Sequence, residues 1–117
     1  MKGNYINMEV NKKFLEIISK AKTGNIAIKA IGSETYISNM FFDEVDLLEG
    51  DKVSFWYDAV NLAECVPHVA INLNEIVDIQ DFFKEEIMDA DDYGVDLFLK
   101  NGLGINIVML DYLKKSV

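Results

Sequence analysis

The sequence contains no arginine: all 11 of its basic residues are lysines. That removes arginine fingers and bidentate guanidinium clamps on phosphate or carboxylate from the available chemistry. It has one cysteine, Cys65, so an intrachain disulfide is impossible. A secreted, disulfide-stapled scaffold is thereby excluded, and a reducing cytoplasm is the expected location. The single proline is Pro67, and there is no repeat, low-complexity tract or Pro/Gly/Ser-rich linker, so residues 1–117 read as a single domain. Long apolar runs are also missing. The stretch Ile107–Leu110 falls far short of the roughly 20 residues a membrane helix needs. The N-terminal MKGNYINMEVNKK has no apolar core of a signal peptide. No membrane partner is expected. Positive charge is scarce as well: 11 lysines face 20 carboxylates, for a net charge of −9, which argues against direct nucleic-acid binding.

What is present is the composition of a globular domain, 50% hydrophobic and 26% charged over 117 residues. A chain of this length buries a core without disulfide or metal staples. Val10, Phe14, Ile17, Ile18 and Ala21 recur at helical spacing and predict a helix over 8–22, with Asn7 or Asn11 as cap and Gly24 as stop. Residues 25–31 and 35–42 read as a hairpin around Gly32-Ser33. Residues 43–51 read as an acidic turn or short helix. Residues 52–58 form a third strand with Val53, Phe55 and Tyr57 on one face and Ser54, Trp56 and Asp58 on the other. Residues 59–67 read as a loop, and 68–73 as a strand with Val69, Ile71 and Leu73 inward. In residues 74–94, Glu75–Ile79 suit a strand extension, whereas Phe82, Phe83, Ile87 and Met88 fit a short helix better. Val95–Lys100 and Leu103–Leu110 flank Asn101-Gly102, the strongest short-range hairpin signal. This hairpin is apolar on both sides, with Phe98, Ile105 and Ile107 on one face and Leu97, Leu99 and Val108 on the other. Such a pair is either central in a covered sheet or an oligomer interface, and a homo-oligomer is expected. The sum is an α+β domain: an N-terminal helix packed on a mainly antiparallel sheet, or small partly open β-barrel, of about six strands, with a C-terminal β-hairpin.

Tests for chemistry return little. Cys65-Val66-Pro67-His68 holds the only thiol and the only imidazole, but a nucleophile needs an oriented base and structural zinc needs four ligands. The pair reads as a buried cysteine and a strand-start histidine. Asp89, Asp91 and Gly94 match positions 1, 3 and 6 of a calcium loop. Position 12 is Lys100 rather than glutamate, which replaces a bidentate ligand with a repelling charge and excludes an EF-hand. Gly102-Leu103-Gly104 follows a hairpin turn, so it is no phosphate cradle. Glu85 and Glu86 are neighbours on a presumed helix and point apart, so they make no acid/base pair. No catalytic residue, metal site or cofactor is expected, and the protein reads as a non-enzyme. Phe41 and Trp56 are the aromatics expected to reach a surface and anchor a partner.

The charge layout is more informative. Residues 1–30 hold six lysines and two acids; residues 34–58 hold seven acids and one lysine; residues 75–96 hold nine acids and one lysine. Two acidic stretches result, with Asp43, Glu44 and Asp46 in one and Glu85, Glu86, Asp89, Asp91 and Asp92 in the other. Such a surface keeps a protein soluble, and it also suits a basic protein partner, such as the lysine/arginine groove of a nucleic-acid-processing enzyme. In size, charge and lack of active-site motifs the chain resembles phage anti-CRISPR proteins and toxin-neutralising immunity proteins, a likeness of class carried by no diagnostic motif. It implies an inhibitor from a phage or mobile element. The alternatives are a small-ligand-binding or sensing domain, and a phage structural or assembly protein.

Overall fold

The N-terminal apolar stripe forms helix α1, Lys2–Ile18, in a computed structural model that describes residues 2–47, 51–57 and 69–114. The helix starts before residue 8 and stops before residue 22, so Asn7 and Asn11 lie inside it rather than at its N-terminus. It stops where Ser19 turns its hydroxyl onto the Glu16 carbonyl at 2.9 Å. The next amides, of Lys20 and Ala21, bond three residues back to Ile17 and Ile18. A serine that competes for backbone carbonyls, followed by tightened turns, is a common way for a helix to end. Phe14, Ile17 and Ile18 are buried, as their spacing requires.

Eight strands follow among the described residues: β1 Gly24–Ala30, β2 Tyr36–Phe42, β3 Glu44–Leu47, β4 Lys52–Trp56, β5 Val69–Asn72, β6 Ile76–Phe82, β7 Tyr93–Leu99 and β8 Leu103–Met109. Among the described residues they form two antiparallel sheets, β2-β1-β8-β7-β6 and β3-β4-β5, and no closed barrel. The α+β class with a C-terminal hairpin is thus as read from the sequence. On the inner face of the larger sheet the registered residues Phe42, Ile26, Ile107, Val95 and Leu97 are all buried, and α1 packs on it along β6. Only Asp43 separates β2 from β3, and Phe42 and Phe55 meet edge to face at 5.1 Å where the chain passes from one sheet to the other. Each such fully buried side chain contributes about 1.5–3 kcal/mol.

Several expectations are corrected. Residues 44–47 form a strand rather than a turn or helix, because Val45 sits opposite Phe55 and packs on the core. Residues 74–94 hold no α-helix. A single 3-10 turn, Leu73–Glu75, leads directly into β6, whose Ile76 and Ile79 face inward across a bulge. Of the apolar residues that fitted a helix, only Met88 is buried, while Phe83 and Ile87 are exposed. The last hairpin has its faces assigned differently. Phe98 pairs with Gly104 and Leu97 with Ile105, so three residues, 100–102, form the turn instead of two. Gly102 takes a φ of 86° at its end. A slip of one residue exchanges the faces of a strand. Leu97, Ile105 and Ile107 are therefore together in the core, and Phe98 and Val108 share the outer face. β8 is the middle strand of its sheet, so this hairpin carries no argument for self-association. Cys65, Pro67, His68, Asp58 and the 59–67 loop lie outside the described residues.

Candidate functional site

The β6–β7 connection, residues 83–92, carries most of the second acidic stretch, and its own backbone shapes it. The Lys84 carbonyl accepts from the amides of Ile87 and Met88, closing one helical turn. The Met88 side chain is buried, and its sulfur accepts the Lys84 amide at 3.4 Å. The turn is thus wrapped around its one inward-facing side chain. Glu85 and Glu86 point to solvent at the top of it, and Asp89 and Asp91 are exposed after it.

Asp92 does not belong with them. It is 5% exposed, and its two carboxylate oxygens accept the amides of Asp89 and Asp111, each at 2.9 Å. The first bond closes the loop on itself, and the second ties it to the segment after β8. There Asp111 adopts a φ of 52°, a left-handed conformation that aspartate tolerates better than most residues. The Leu113 amide donates to the Asp91 carbonyl at 2.7 Å, a second tie to the same segment. Asp92 is therefore a structural clasp and is withdrawn from the partner-binding set. Among the described residues, no three His, Cys, Asp or Glu side chains converge on a metal position.

Tyr93 continues the anchorage. Its ring stacks on Tyr112 with centroids 5.0 Å apart, and the Tyr112 hydroxyl donates to the Ile17 carbonyl at the end of α1. Burial, and then a hydrogen bond to Asp81, push the Tyr93 phenol up to about 12. Burial also raises the Tyr112 phenol. Lys13 of α1 approaches Asp81 at 3.9 Å, an exposed pair worth little by itself.

Two large apolar side chains of this held loop remain in solvent, Phe83 at 54% and Ile87 at 59% exposure, and Leu113, at 53%, is exposed on the segment tied to it. The result is an apolar tip among four carboxylates, Glu85, Glu86, Asp89 and Asp91. Sequence reasoning missed Phe83, Ile87 and Leu113. The available signal was that Phe83 and Ile87 fit neither the period of β6 nor any stripe the core needs.

The first acidic stretch is placed differently. Glu44 and Asp46 alternate along β3 with the core-facing Val45, and Asp43 is the link between the two sheets. Trp56 lies opposite Glu44 and is half-buried, whereas Phe41 is 39% exposed and meets Tyr57 edge to face at 5.4 Å. Asp43 follows β2 and the 83–92 loop follows β6, the two outermost strands of the larger sheet. Four strand spacings separate those strands, about 19 Å. The two acidic stretches do not merge into one patch.

Among the described residues, no helix is long and apolar enough to cross a membrane. No protein-family model matches the chain, and neither does any curated protein or any solved structure.

Proposed function

We propose that this protein is a non-enzymatic binding module that engages a basic protein partner through the 83–91 loop. The carrying observation is that Phe83 and Ile87 are held in solvent by a loop whose shape is fixed from inside, by Met88 and the Asp92 clasp. A large apolar side chain kept exposed on a pre-shaped support fits the anatomy of an interface: an apolar anchor within a polar rim. Glu85, Glu86, Asp89 and Asp91 form that rim, and they select a basic partner and speed its approach. They repel nucleic-acid phosphate, so the partner is a protein. The most concrete form is an inhibitor, from a phage or mobile element, that occupies the lysine/arginine groove of a nucleic-acid-processing enzyme.

The test is to add purified protein to candidate basic nucleases or other nucleic-acid enzymes of the source organism and measure both binding and inhibition. The reading expects a stoichiometric complex whose affinity falls as salt rises from about 0.05 to 0.5 M, because screening shortens the reach of the rim charges. Inhibition that survives Ile87→Ser and Glu85→Lys/Glu86→Lys together would refute the loop as the contact.

A further inference from the structure

Three glycines lie within strands, and two of them have a packing reason. A side chain at Gly24 would strike the Val108 carbonyl, and one at Gly94 would meet the Phe82 ring at 2.6 Å. Gly104, in the central strand β8, has no such reason. A β-carbon there would find nothing closer than Ile31 at 3.5 Å, an ordinary contact, and its φ lies outside the left-handed region. Glycine inside a strand weakens it and marks a bulge or the close approach of a ligand or another backbone; Gly104 pairs with Lys29, beside the bulge of β1 against β2, and it opens the outer face there. Gly104 is in the floor of a hollow of about 170 Å³ on the outer face of the larger sheet. That is below the roughly 300–1,000 Å³ of a drug-sized site, so an occupant is small.

The register explains the polar groups of this hollow. Asp96 and Asn106 are cross-strand partners beside Gly104, and the Asn106 amide nitrogen donates to one Asp96 oxygen at 2.8 Å. The other Asp96 oxygen and the Asn106 carbonyl remain as acceptors, with no partner among the described residues. Lys29 lines one side, its ammonium 5.6 Å from the centre of the Tyr36 ring, and Lys84 lines the other. Neither lysine makes an ion pair among the described residues. Tyr36 and Phe98 supply aromatic wall. A simple anion would be opposed by Asp96, and a simple cation by the two lysines. A molecule carrying both charges meets both sets, and an aromatic body meets the wall.

We propose that this hollow binds a free aromatic amino acid. Its ammonium lies on Asp96 and the Asn106 carbonyl, its carboxylate faces Lys29, and its ring packs against Tyr36 and Phe98. The site shares Lys84 with the 83–91 loop but none of Phe83, Ile87 or the rim carboxylates, so variants at those positions test the protein-binding reading and variants at Asp96 and Gly104 test this one.

The experiment titrates the ¹⁵N-labelled full chain with phenylalanine, tyrosine and tryptophan, followed by amide shifts. 3-Phenylpropanoate, which lacks the ammonium, and phenethylamine, which lacks the carboxylate, are the comparison probes. Saturable shifts centred on Lys29, Asp96, Gly104 and Asn106 are expected with at least one amino acid. Each truncated probe should bind at least about tenfold more weakly, since it forfeits a charge-assisted contact. Gly104→Val fills the hollow and should abolish binding while leaving distant amide shifts in place. Asp96→Asn is the second variant, expected to weaken amino-acid binding about tenfold and leave 3-phenylpropanoate unimpaired. No saturable shift with any of the three amino acids up to about 10 mM would overturn the proposal. So would a folded Gly104→Val variant that binds as the parent does.

Discussion

Residues 43–46 and 85–91 are both acidic stretches, but the fold uses them in opposite ways. In the first, carboxylates alternate with Val45 along β3, so Glu44 and Asp46 are the outer side of a strand whose inner side belongs to the core. In the second, no strand or helix accounts for the exposed side chains. The chain is closed by Met88 and Asp92, and Phe83 and Ile87 are left in solvent among the acids. Net charge is similar in kind; what differs is whether the backbone spends its order on the core or on a presented tip. A charged strand face needs no partner to explain it. An apolar tip on a clasped loop is what the proposed binding role accounts for.

The contrast can be broken most severely from inside the loop. Met88→Ala should cost about 2–5 kcal/mol, the range for truncating a buried methionine or leucine, whereas Val45→Ala on the β3 side should cost about 1 kcal/mol. Urea midpoints of the two variants check this. If Met88→Ala is as mild as Val45→Ala, the loop is not organised around its methionine. Asp92→Ala comes next. It strands the amides of Asp89 and Asp111, each of which loses its 2.9 Å acceptor, and should destabilise by about 2 kcal/mol. Hydrogen exchange at those two amides should accelerate in the variant and stay slow in the parent.

A pH scan sharpens the anchorage of the same loop. The Tyr93 phenol is raised from its ordinary 10.0 to about 12 in the folded chain. An acid raised by folding contributes stability in full below its unfolded value, and that contribution is lost as pH climbs through the folded one. Stability should therefore fall between pH 10 and about 12, and Tyr93→Phe should flatten that part of the curve. A profile with the same slope in Tyr93→Phe would assign the alkaline loss to other groups. The smallest effects belong to the rims. Glu85→Lys/Glu86→Lys and Glu44→Lys/Asp46→Lys should each change stability by no more than about 0.5 kcal/mol by thermal melting, because these are surface positions.

Much of the fold was legible in the sequence, and the failures share physical reasons. The helix stripe of Phe14, Ile17 and Ile18, the inward Val69, Ile71 and Leu73, and both hairpins follow from periodicity and turn residues. The faces of β7 and β8 did not follow, because Asn101-Gly102 permits a two- or a three-residue turn, and that choice flips every side chain. The expected helix over Phe82, Phe83, Ile87 and Met88 did not form, because Phe82 belongs to β6 and of the other three only Met88 is buried, so no apolar stripe docks there. For the candidate site, Glu85, Glu86, Asp89 and Asp91 were named from charge alone, and all four are exposed. Asp92 came from the same count and is buried, since nothing local distinguishes a carboxylate that accepts distant backbone amides from one that faces water.

The most direct test of the loop as the contact surface is a quantitative pull-down from lysate of the source organism with three baits. These are the parent, Glu85→Lys/Glu86→Lys/Ile87→Ser, and Glu44→Lys/Asp46→Lys, each confirmed as folded. The account predicts a basic protein that is captured at low salt by the parent and by the β3 variant, and is lost from the loop variant. Equal capture by the loop variant, or loss from the β3 variant alone, would contradict it.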